Sequence, residues 1–380
     1  MTDLVRQEIA TAAHRIIVKV GTRVLTREDG TLDRDRIKNL AQQINSLLDA
    51  GRQVVLVSSG AVGAGMSQLG LRQRPKDLAH LQAVAAIGQT NLIEAYDFHF
   101  REHGRHAAQI LLTAEDLKHR TSYLNVRNTL LRLLEIGAVP IVNENDTVAV
   151  DELATTFGDN DRLAALMTNV VQAQLLVILS DVEGLYDGDP SEAGSKIVPT
   201  VAVIDDSIHA LVRDKKSGLS KGGMASKLEA ARIATTAGEN VVIAPGRGES
   251  TLVDVADGKS VGTLFLAQGK IISPFKRWIG FSAQTQGSIV VDDGAARAIS
   301  TNGRSLLAIG ISDVSGSFEK GDVVAIRDAN ACELARGLTN YSAADVLRIK
   351  GLKSDEIATA LGHRPYDEVI HRDNLVVIDR

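Results

Sequence analysis

Between residue 15 and about residue 268, short runs rich in Val, Ile and Leu alternate with longer stretches whose apolar residues recur at helical spacing. Runs that are apolar throughout are typical of strands buried on both faces, because helices cover both sides of a mostly parallel sheet. The pattern therefore predicts an α/β domain in three layers, with a mostly parallel central sheet.

Six of the apolar runs are predicted to be central strands of the sheet, at residues 15–21, 53–60, 107–113, 139–143, 174–181 and 240–244. Between the first two, apolar residues recur at helical spacing, and Gly51 follows where a helix C-cap is expected. That segment is predicted to be a crossover helix. Further helices, each followed by a strand, are predicted near residues 78–102, 121–136, 160–172 and 224–237.

The alternation stops at residues 269–277, a segment typical of a linker. From Trp278 onward, short alternating runs such as 287–291 and 323–327 are separated by turn-forming residues. This pattern predicts a second, β-rich domain. The predicted bounds are 1–268 for the first domain, 269–277 for the linker, and 278–380 for the second domain and its tail.

Composition and charge narrow the classes of function. The chain of 380 residues is 44% hydrophobic and 23% charged, and its formal net charge is −5, so nothing indicates a protein that coats nucleic acid or an anionic membrane. The single Cys332 excludes an intramolecular disulfide and a cysteine-cluster metal site. No apolar run approaches the roughly 18 to 20 residues of a membrane helix. We therefore expect a cytoplasmic protein, neither exported nor anchored, whose ligands are small molecules.

The first predicted strand contains a lysine within its apolar run. Lys19 is followed by Gly21 and Thr22 at the carboxyl end of the strand, where open α/β sheets bind their ligands. Burial of an ammonium group is costly unless an anion lies beside it, so Lys19 is predicted to face a phosphate. The alternative is a lysine that extends along a sheet edge to reach water.

A glycine-rich turn, SSGAVGAG at residues 58–65, follows the second predicted strand. Glycines allow backbone N–H groups to approach an anion at a helix N-terminus, so the turn is a candidate anion-binding loop. The glycine spacing is not that of a dinucleotide-binding fingerprint. Tight packing of a helix on the sheet explains the same glycines about equally well.

Carboxylates and amides cluster in two further segments, NEND at residues 143–146 and GDND at residues 158–161. The first closes a strand, where Asp146 is a candidate to hold an α-ammonium group. The second begins a helix, and one of its residues is expected to be an N-cap. Asp161 is a candidate for orienting lysines or for organising a hydrated Mg²⁺.

Residues 220–227, SKGGMASK, precede a long predicted helix. Paired glycines followed by a lysine one turn into the helix suit a polyphosphate, because backbone amides and a point charge together can hold it. Lys227 then joins Lys19 as a second candidate cation. The alternative is a flexible loop with a solvated lysine.

Taken in order, VKVGT, VSSGA, NEND, GDND, LSDVEGLY and GGMASK resemble the motifs of the amino acid kinase family over nearly the whole chain. The NEND and GDND segments are particular to members that phosphorylate glutamate. Residues 287 to about 362 are similar to a PUA domain, a small RNA-associated β-barrel that many such members carry after the catalytic domain. The resemblance implies a three-layer α/β sandwich with a mostly parallel central sheet, followed by a small PUA-like β-barrel.

The resemblance also implies an activity, which is ATP-dependent phosphorylation of the γ-carboxylate of L-glutamate to γ-glutamyl phosphate, the first step toward proline. Family members need Mg²⁺, commonly form oligomers and are often inhibited by proline. ATP and Mg²⁺ are therefore the implied cofactors, and a homo-oligomer with proline feedback is implied as well. The direct metal ligands are not assigned.

Residue roles follow from matching positions in the family motifs. Lys19 and Lys227 correspond to lysines that stabilise the transferring phosphoryl group, and Asp161 corresponds to the carboxylate that arranges them. Positions that correspond to glutamate binding are Ser59, Gly60, Asp146 and Asn160. Positions that correspond to nucleotide binding are Lys19, Ser180, Asp181, Lys221, Gly222, Gly223, Met224, Ala225, Ser226 and Lys227.

One position departs from the family pattern. Lys221 stands where a threonine usually precedes the Gly-Gly-Met segment, so an ammonium replaces a hydroxyl. This departure puts one nucleotide contact in doubt, although a third cation beside a triphosphate could compensate electrostatically.

Two alternative functions stay open at this point. One is a kinase for another acidic or acyl substrate, such as aspartate, N-acetylglutamate or carbamate. The other is an RNA-binding factor that acts through the C-terminal domain. Residues 275–380 carry 13 basic and 14 acidic side chains, a net charge of −1, so charge gives RNA binding no support.

Overall fold

We describe a computed structural model of the chain, in which residues 3–148, 160–192, 194–212, 223–268, 274–362 and 366–378 are described. The chain divides into two compact units. One comprises Met1–Asp116 and Leu124–Ile271, and the other comprises Leu117–Tyr123 and Ile272–Arg380. Of the predicted linker, residues 269–273 lie outside the described residues, and Pro274–Arg277 form a short helix.

The first unit contains one eight-stranded sheet. Its strands are β1 (Arg15–Val20), β2 (Gln53–Ser58), β3 (Ala107–Leu112), β4 (Val139–Glu144), β5 (Leu175–Ser180), β6 (Thr200–Val201), β7 (Asn240–Pro245) and β8 (Thr263–Phe265). They lie in the order β3-β4-β2-β1-β5-β7-β8-β6. Every neighbouring pair is parallel except β7 with β8. The prediction of a mostly parallel sheet is confirmed.

All six predicted strands are present, but the prediction that all are central is wrong for β3. This strand lies at one end of the sheet, and its residues are mostly half-buried, with Gln109 exposed. An edge strand is covered less completely, so its apolar residues need only partial burial. The strands β6 and β8 are not predicted from the sequence, because at two and three residues they are too short to carry a pattern.

The helices up to residue 256 lie mostly between the strands, often two in succession. They are α1 (Leu4–Ala12), α2 (Thr22–Leu25), α3 (Arg34–Asp49), α4 (Ala61–Leu69), α5 (Leu78–Arg101), α6 (Ala114–Lys118), α7 (Arg120–Glu135), α8 (Asp161–Val171), α9 (Asp206–Ala210), α10 (Met224–Thr236) and α11 (Thr251–Ala256). The predicted crossover helix is α3, and Gly51 follows it with φ +79°, a left-handed conformation that favours glycine. No helix in the described ranges is long and apolar enough to cross a membrane.

Helices cover both faces of the sheet, and the alternation of side chains along β1 shows how. Ile16, Val18 and Val20 belong to a core that also includes side chains of α3 and α5. Successive residues of a strand point to opposite faces. Lys19 therefore points to the other face, where it meets the start of α8. The three-layer architecture predicted from the sequence is confirmed.

Two glycines set the distance between α4 and α5. A Cβ atom added at Gly88 would lie 1.8 Å from the carbonyl oxygen of Ala61 and 2.2 Å from the backbone nitrogen of Gly65. A Cβ atom added at Gly65 would lie 1.9 Å from the carbonyl oxygen of Val84. The two helix backbones thus touch at a point where no side chain fits, directly after the carboxyl end of β2.

The second unit contains a five-stranded sheet in the order β10-β9-β11-β12-β13. Its strands are β9 (Gly287–Val291), β10 (Ile311–Gly316), β11 (Val323–Arg327), β12 (Glu333–Leu338) and β13 (Leu375–Val377), and its helices are α12 (Pro274–Arg277), α13 (Asp293–Ser300), α14 (Ala343–Ile349) and α15 (Ile357–Leu361). Both strands predicted in this region are present as β9 and β11. The core includes Ile289, Val324, Ile326 and Ile349.

The contact between α4 and α5 generates a stability prediction. Alanine at position 88 favours a helix by about 1 kcal/mol over glycine, but its Cβ would overlap backbone atoms of α4 that cannot move independently. We expect Gly88→Ala to lower the free energy of unfolding by about 1–3 kcal/mol, as measured by urea denaturation.

The matched control is Gly194→Ala, because no atom lies within 4 Å of an added Cβ there. Its effect should stay within about 0.5 kcal/mol. Unchanged stability of Gly88→Ala would show that the two helices separate easily.

Candidate active site

The side chains singled out by the sequence analysis gather at the carboxyl edge of the large sheet. Lys19 lies near the end of β1, Ser59 directly follows β2, and Ser180 ends β5. The first turns of α8 and α10 lie at the same edge. Asp161 of α8 contacts Lys19, and Lys227 of α10 contacts Asp161. Ligand sites of open α/β sheets lie at such an edge.

A buried carboxylate joins two lysines from distant parts of the chain. The Nζ atom of Lys19 lies 2.6 Å from Oδ1 of Asp161, and the Nζ atom of Lys227 lies 3.3 Å from Oδ2 of the same residue. The side chains of Lys19 and Asp161 are fully buried, and that of Lys227 is 6% exposed. The hydroxyl of Ser226 donates to Oδ2 of Asp161 at 2.8 Å. We call these three charged residues the Lys–Asp–Lys cluster.

The electrostatics of the cluster favour an ionised carboxylate. Burial alone would raise the pKa of Asp161, but the charges of Lys19 and Lys227, with hydrogen bonds from Lys19 and Ser226, outweigh it and lower the pKa to about 2. The cluster holds two ammonium groups and one carboxylate, so it carries one excess positive charge. A buried site with excess positive charge is suited to an anionic ligand.

The geometry decides between the alternatives left open for these residues. Lys19 does not extend along a sheet edge to water, since it is fully buried and ion-paired. Lys227 is not a solvated loop lysine, because it lies buried in the first turn of α10. Gly158 and Asp159 lie outside the described residues, and so do Lys221 and Gly222.

Asn160 stands at the N-cap position of α8, but its side chain does not cap the helix. Asn160 therefore occupies the N-cap position expected for one residue of this segment, but without a side-chain capping bond. Its amide Nδ2 instead donates to Oδ1 of Asn143 at 2.7 Å and to Oγ of Ser59 at 3.2 Å. Asn143 in turn donates through Nδ2 to Oε1 of Gln89 at 2.9 Å. These three amides and the Ser59 hydroxyl form a continuous series of hydrogen bonds, which we call the amide chain. It begins next in sequence to Asp161 of the Lys–Asp–Lys cluster, and each of its four residues is at least nine-tenths buried.

A second contact holds the backbone beneath Ser59. The Ser58 hydroxyl lies 3.0 Å from the carbonyl oxygen of Ser59 and 3.2 Å from the hydroxyl of Tyr96. Ser58 and Tyr96 are fully buried, and burial raises the pKa of the tyrosine. The turn after β2 is thus tied to α5 as well as to α8.

The glycines of the turn after β2 serve backbone conformation and packing, and its role as an anion-binding loop stays a prediction. Gly60 adopts φ +110°, so this position requires the freedom of glycine at the start of α4. Gly65 serves packing, because Val84 of α5 occupies the space of a side chain there. A Cβ atom added at Gly63 would clash with the backbone of Gly30, which lies in a loop. The first turns of α4 therefore pack against α5 and this loop rather than against the sheet.

Asp146 lies two residues beyond the end of β4 and is half-buried. Burial lowers the pKa of Arg74, and the charge of the Asp146 carboxylate offsets only part of this effect. Asp146 thus follows the carboxyl end of the strand that contains Asn143.

Ser180 and Asp181 end β5 and are linked to α2. The Ser180 hydroxyl donates to Oδ1 of Asp181 at 3.1 Å, and Arg23 donates to Oδ2 at 2.9 Å. Burial raises the pKa of Asp181, but the hydrogen bond from Arg23 and its charge lower it overall. Ser180 is buried, whereas Asp181 and Arg23 are each more than one-third exposed.

The first turn of α10 contains the described part of the predicted nucleotide segment. Gly223 is its N-cap residue and makes no side-chain capping bond, and Met224, Ala225 and Ser226 follow as the first helical residues. The N–H groups of a helix start have no partner within the helix. They lie one turn from the ammonium of Lys227, so this end of α10 is electropositive.

Sequence reasoning missed two residues of the site. Gln89 interrupts the apolar stripe of α5 that includes Ala85, Leu92 and Tyr96, and a polar residue in such a stripe was the available signal. Arg23 carries no signal that separates it from a surface arginine, because its partner Asp181 is 158 positions away.

A metal centre built from protein side chains alone is not found in the described part of the chain. No group there of three or more His, Cys, Asp or Glu residues could hold a metal ion.

Sequence comparison assigns both units to known families. A profile of the amino acid kinase family matches residues 14–245, and a profile of the PUA domain matches residues 287–361. The chain belongs to the amino acid kinase family. Relatives of this kinase-family chain cover nearly its full length. The glutamate 5-kinase of Rhodopirellula baltica is 50% identical over 98% of this chain and 96% of its own.

Two further relatives have the same description. The glutamate 5-kinase of Thermoanaerobacter sp. strain X514 is 47% identical over 96% of this chain and 98% of its own. That of Azoarcus sp. strain BH72 is also 47% identical, over 96% and 98%. Among solved structures, the carbamate kinase of Giardia lamblia bound to AMP-PNP is 20% identical, covers 68% of this kinase-family chain and 100% of its own, and has a TM-score of 0.47.

The low pKa of Asp161 generates a prediction about pH. The native pKa of about 2 lies below the ordinary value of 3.8, so the ionised carboxylate contributes about 2 kcal/mol to stability above pH 4, and this contribution is lost as pH falls toward 2. We expect Asp161→Asn to be less stable than the parent protein at pH 6. The difference should shrink steadily between pH 4 and pH 2, as measured by denaturant unfolding at each pH.

The control is Asp206→Asn, which changes an exposed aspartate in α9. Its unfolding curves should match those of the parent protein at every pH. A stability difference for Asp161→Asn that does not vary with pH would mean that the carboxylate is not held by the two lysines.

Proposed function

We propose that this chain is a glutamate 5-kinase, which transfers the γ-phosphoryl group of ATP to the γ-carboxylate of L-glutamate and forms γ-glutamyl phosphate. The supporting observation is the convergence of Lys19 and Lys227 on one buried carboxylate at the carboxyl edge of the sheet. Near-full-length similarity to glutamate 5-kinases supports the identity of the substrates.

The reaction poses an electrostatic problem that the cluster can solve. A carboxylate must approach a triphosphate, and two unit charges at about 4 Å repel by roughly 4 kcal/mol at an effective dielectric constant near 20. Two ammonium groups placed between the anions reverse this repulsion. They also stabilise the charge that spreads over the phosphoryl oxygens during transfer.

Asp161 acts in this proposal as a positioning residue. Two buried ammonium groups repel each other, and a carboxylate that contacts both holds them in one pocket. Ser226 donates to that carboxylate from the first turn of α10 and fixes its orientation. No general base is required, because the γ-carboxylate of glutamate is already ionised at neutral pH.

The glutamate site is assigned to Ser59, Gly60, Asn160 and Asp146. Ser59 and Asn160 are buried, joined by a hydrogen bond, and next in sequence to Gly60 and Asp161 respectively. Asp146 provides the carboxylate for the α-ammonium group of the substrate. This arrangement would hold the γ-carboxylate beside the Lys–Asp–Lys cluster.

The nucleotide site is assigned to Lys19, Ser180, Asp181 and residues 221–227. The electropositive start of α10 and Lys227 supply groups suited to the β- and γ-phosphates. Both oxygens of Asp161 contact ammonium groups, so that carboxylate is not presented to a metal. A Mg²⁺ ion would therefore be held mainly by phosphate oxygens and water, and it would neutralise part of the phosphate charge.

Several finer properties stay predictions from the family resemblance. We propose a cytoplasmic location, consistent with a single cysteine, Cys332. A homo-oligomer and inhibition by proline are proposed on the same ground. Charge does not support RNA binding by the PUA domain, since residues 275–380 carry no excess positive charge.

The activity is tested with purified protein, ATP, Mg²⁺ and L-glutamate, with hydroxylamine added to trap the acyl phosphate as a hydroxamate. We expect hydroxamate to form only when glutamate and ATP are both present. The control substrates are aspartate, N-acetylglutamate and carbamate. A preference for one of these would reassign the substrate, and the absence of any glutamate-dependent product would refute the proposal.

The proposed roles of Lys227 and Asp146 predict opposite kinetic effects. Lys227→Ala removes a charge needed in the transition state, so kcat should fall by about 100-fold or more while the KM for glutamate changes little. Asp146→Ala removes a ground-state contact with the substrate, so the KM for glutamate should rise and kcat should change little.

The matched control for the lysine is Lys38→Ala, which changes an exposed residue of α3. Its steady-state kinetics should equal those of the parent enzyme. The reverse pattern for the two test variants would mean that their roles have been exchanged.

A further inference from the structure

We propose that Gln89 of α5 is a positioning residue, which holds the Asn143 amide against rotation and thereby keeps the amide of Asn160 aligned toward the amino-acid substrate. The inference deepens the proposed function and rests on it. Gln89 lies outside the segments assigned from the family motifs. It is 7% exposed and reaches the site only through Asn143.

A backbone group fixes the direction of the amide chain. The backbone N–H of Glu144 can only donate, and it donates to Oδ1 of Asn143 at 2.9 Å. The Nδ2 atom of Asn143 must therefore point away from Glu144, and it meets Oε1 of Gln89. Reversal of either side-chain amide would bring two donors or two acceptors together, so each orientation determines the next.

The same logic extends to the substrate-facing end. Since Oδ1 of Asn143 is an acceptor, Asn160 must present Nδ2 to it, and the second N–H of that group reaches Oγ of Ser59. Both amide N–H groups of Asn160 are then used, and its Oδ1 is left to accept. Oγ of Ser59 accepts from Asn160, so its own proton is left to donate.

This polarity matches the chemistry of an amino acid. An acceptor at Asn160 that has no donor among the described residues suits the ammonium group of the substrate, and a hydroxyl donor at Ser59 suits a carboxylate. A chain of the opposite direction would offer an N–H to the ammonium group, which cannot accept one. Gln89 contributes the acceptor that holds the plane of the Asn143 amide against rotation.

Two features of Gln89 are unexpected for a residue that only fills space. Its Nε2 atom is buried without a hydrogen-bond partner among the described residues, which destabilises the fold relative to an apolar side chain of the same size. Its neighbour Gly88 brings α5 into backbone contact with Ala61 of α4, so the position of the amide is set by rigid elements. Both features are consistent with an amide retained for the site.

The test compares Gln89→Met with the parent enzyme in the hydroxamate assay. Methionine has a similar length and volume but no acceptor for Asn143. We expect the KM for glutamate to rise about tenfold, the loss expected for one hydrogen bond that orders a binding group, while the KM for ATP and the unfolding midpoint change little. Gln89→Leu, a second apolar variant, should give the same result and serves if the methionine variant does not fold.

The matched control is Gln43→Met. Gln43 of α3 is also 7% exposed, and its side chain bonds to Asn39 and to the backbone of Leu252. Its replacement should affect stability alone and leave both KM values unchanged. A rise in the KM for glutamate equal to that of Gln89→Met would show that any buried polar loss has this effect, and would overturn the inference.

A double-mutant cycle separates positioning from general disturbance. If Gln89 acts through Asn160, Gln89→Met should have no further effect on the KM for glutamate in an Asn160→Ala background. Additive effects would overturn the inference. An active parent enzyme with an unchanged KM in Gln89→Met would refute this inference alone, whereas a parent enzyme that makes no glutamate-dependent product would remove the proposed function and this inference with it.

Discussion

The contact of two buried lysines with one carboxylate is the interaction on which the rest of the site depends. Lys19 comes from the centre of the sheet, Asp161 from the start of α8 and Lys227 from the start of α10, so the cluster ties three elements together at one edge. Its proposed function requires all three charges, because either lysine alone would neutralise the carboxylate without leaving an excess charge for a ligand. The same excess positive charge that would be unfavourable in an ordinary core suits a pocket for two anions.

Rigid packing places the neutral groups beside that charge. The backbone contact of α4 with α5 fixes Gln89 and Tyr96, and these reach Asn143 and Ser58 at the ends of two adjacent strands. A glutamate carboxylate and a phosphoryl group must be held within a fraction of an ångström for efficient transfer, and groups on strands and helix ends meet this demand better than mobile loops.

Most of the architecture could be predicted because its pattern is local. Fully apolar strands and amphipathic helices carry their own signals, and β1, β2, β4, β5 and β7 were placed correctly from those signals. The position of β3 at an edge could not be read from its sequence, since the order of strands is set by long-range pairing. The short β6 and β8 lack enough residues for any periodicity.

The candidate site was predicted in its charged residues and missed in its supporting ones. A lysine inside an apolar strand, such as Lys19, signals a buried anion because its burial is otherwise costly. Gln89 and Arg23 are harder to assign from the sequence, because the partner that explains each of them is far away along the chain. The N-cap position expected at the start of α8 is occupied by Asn160, but its side chain makes a tertiary hydrogen bond in place of a local capping bond.

The most direct measurement of the central claim is a crystal structure of the protein with L-glutamate, Mg²⁺ and a non-hydrolysable ATP analogue. The account predicts that the Nζ atoms of Lys19 and Lys227 both lie within about 3 Å of oxygen atoms of the phosphates or the γ-carboxylate, with Asp161 still in contact with both. It would be contradicted by a complex in which either ammonium group lies on the far side of Asp161 from the ligands.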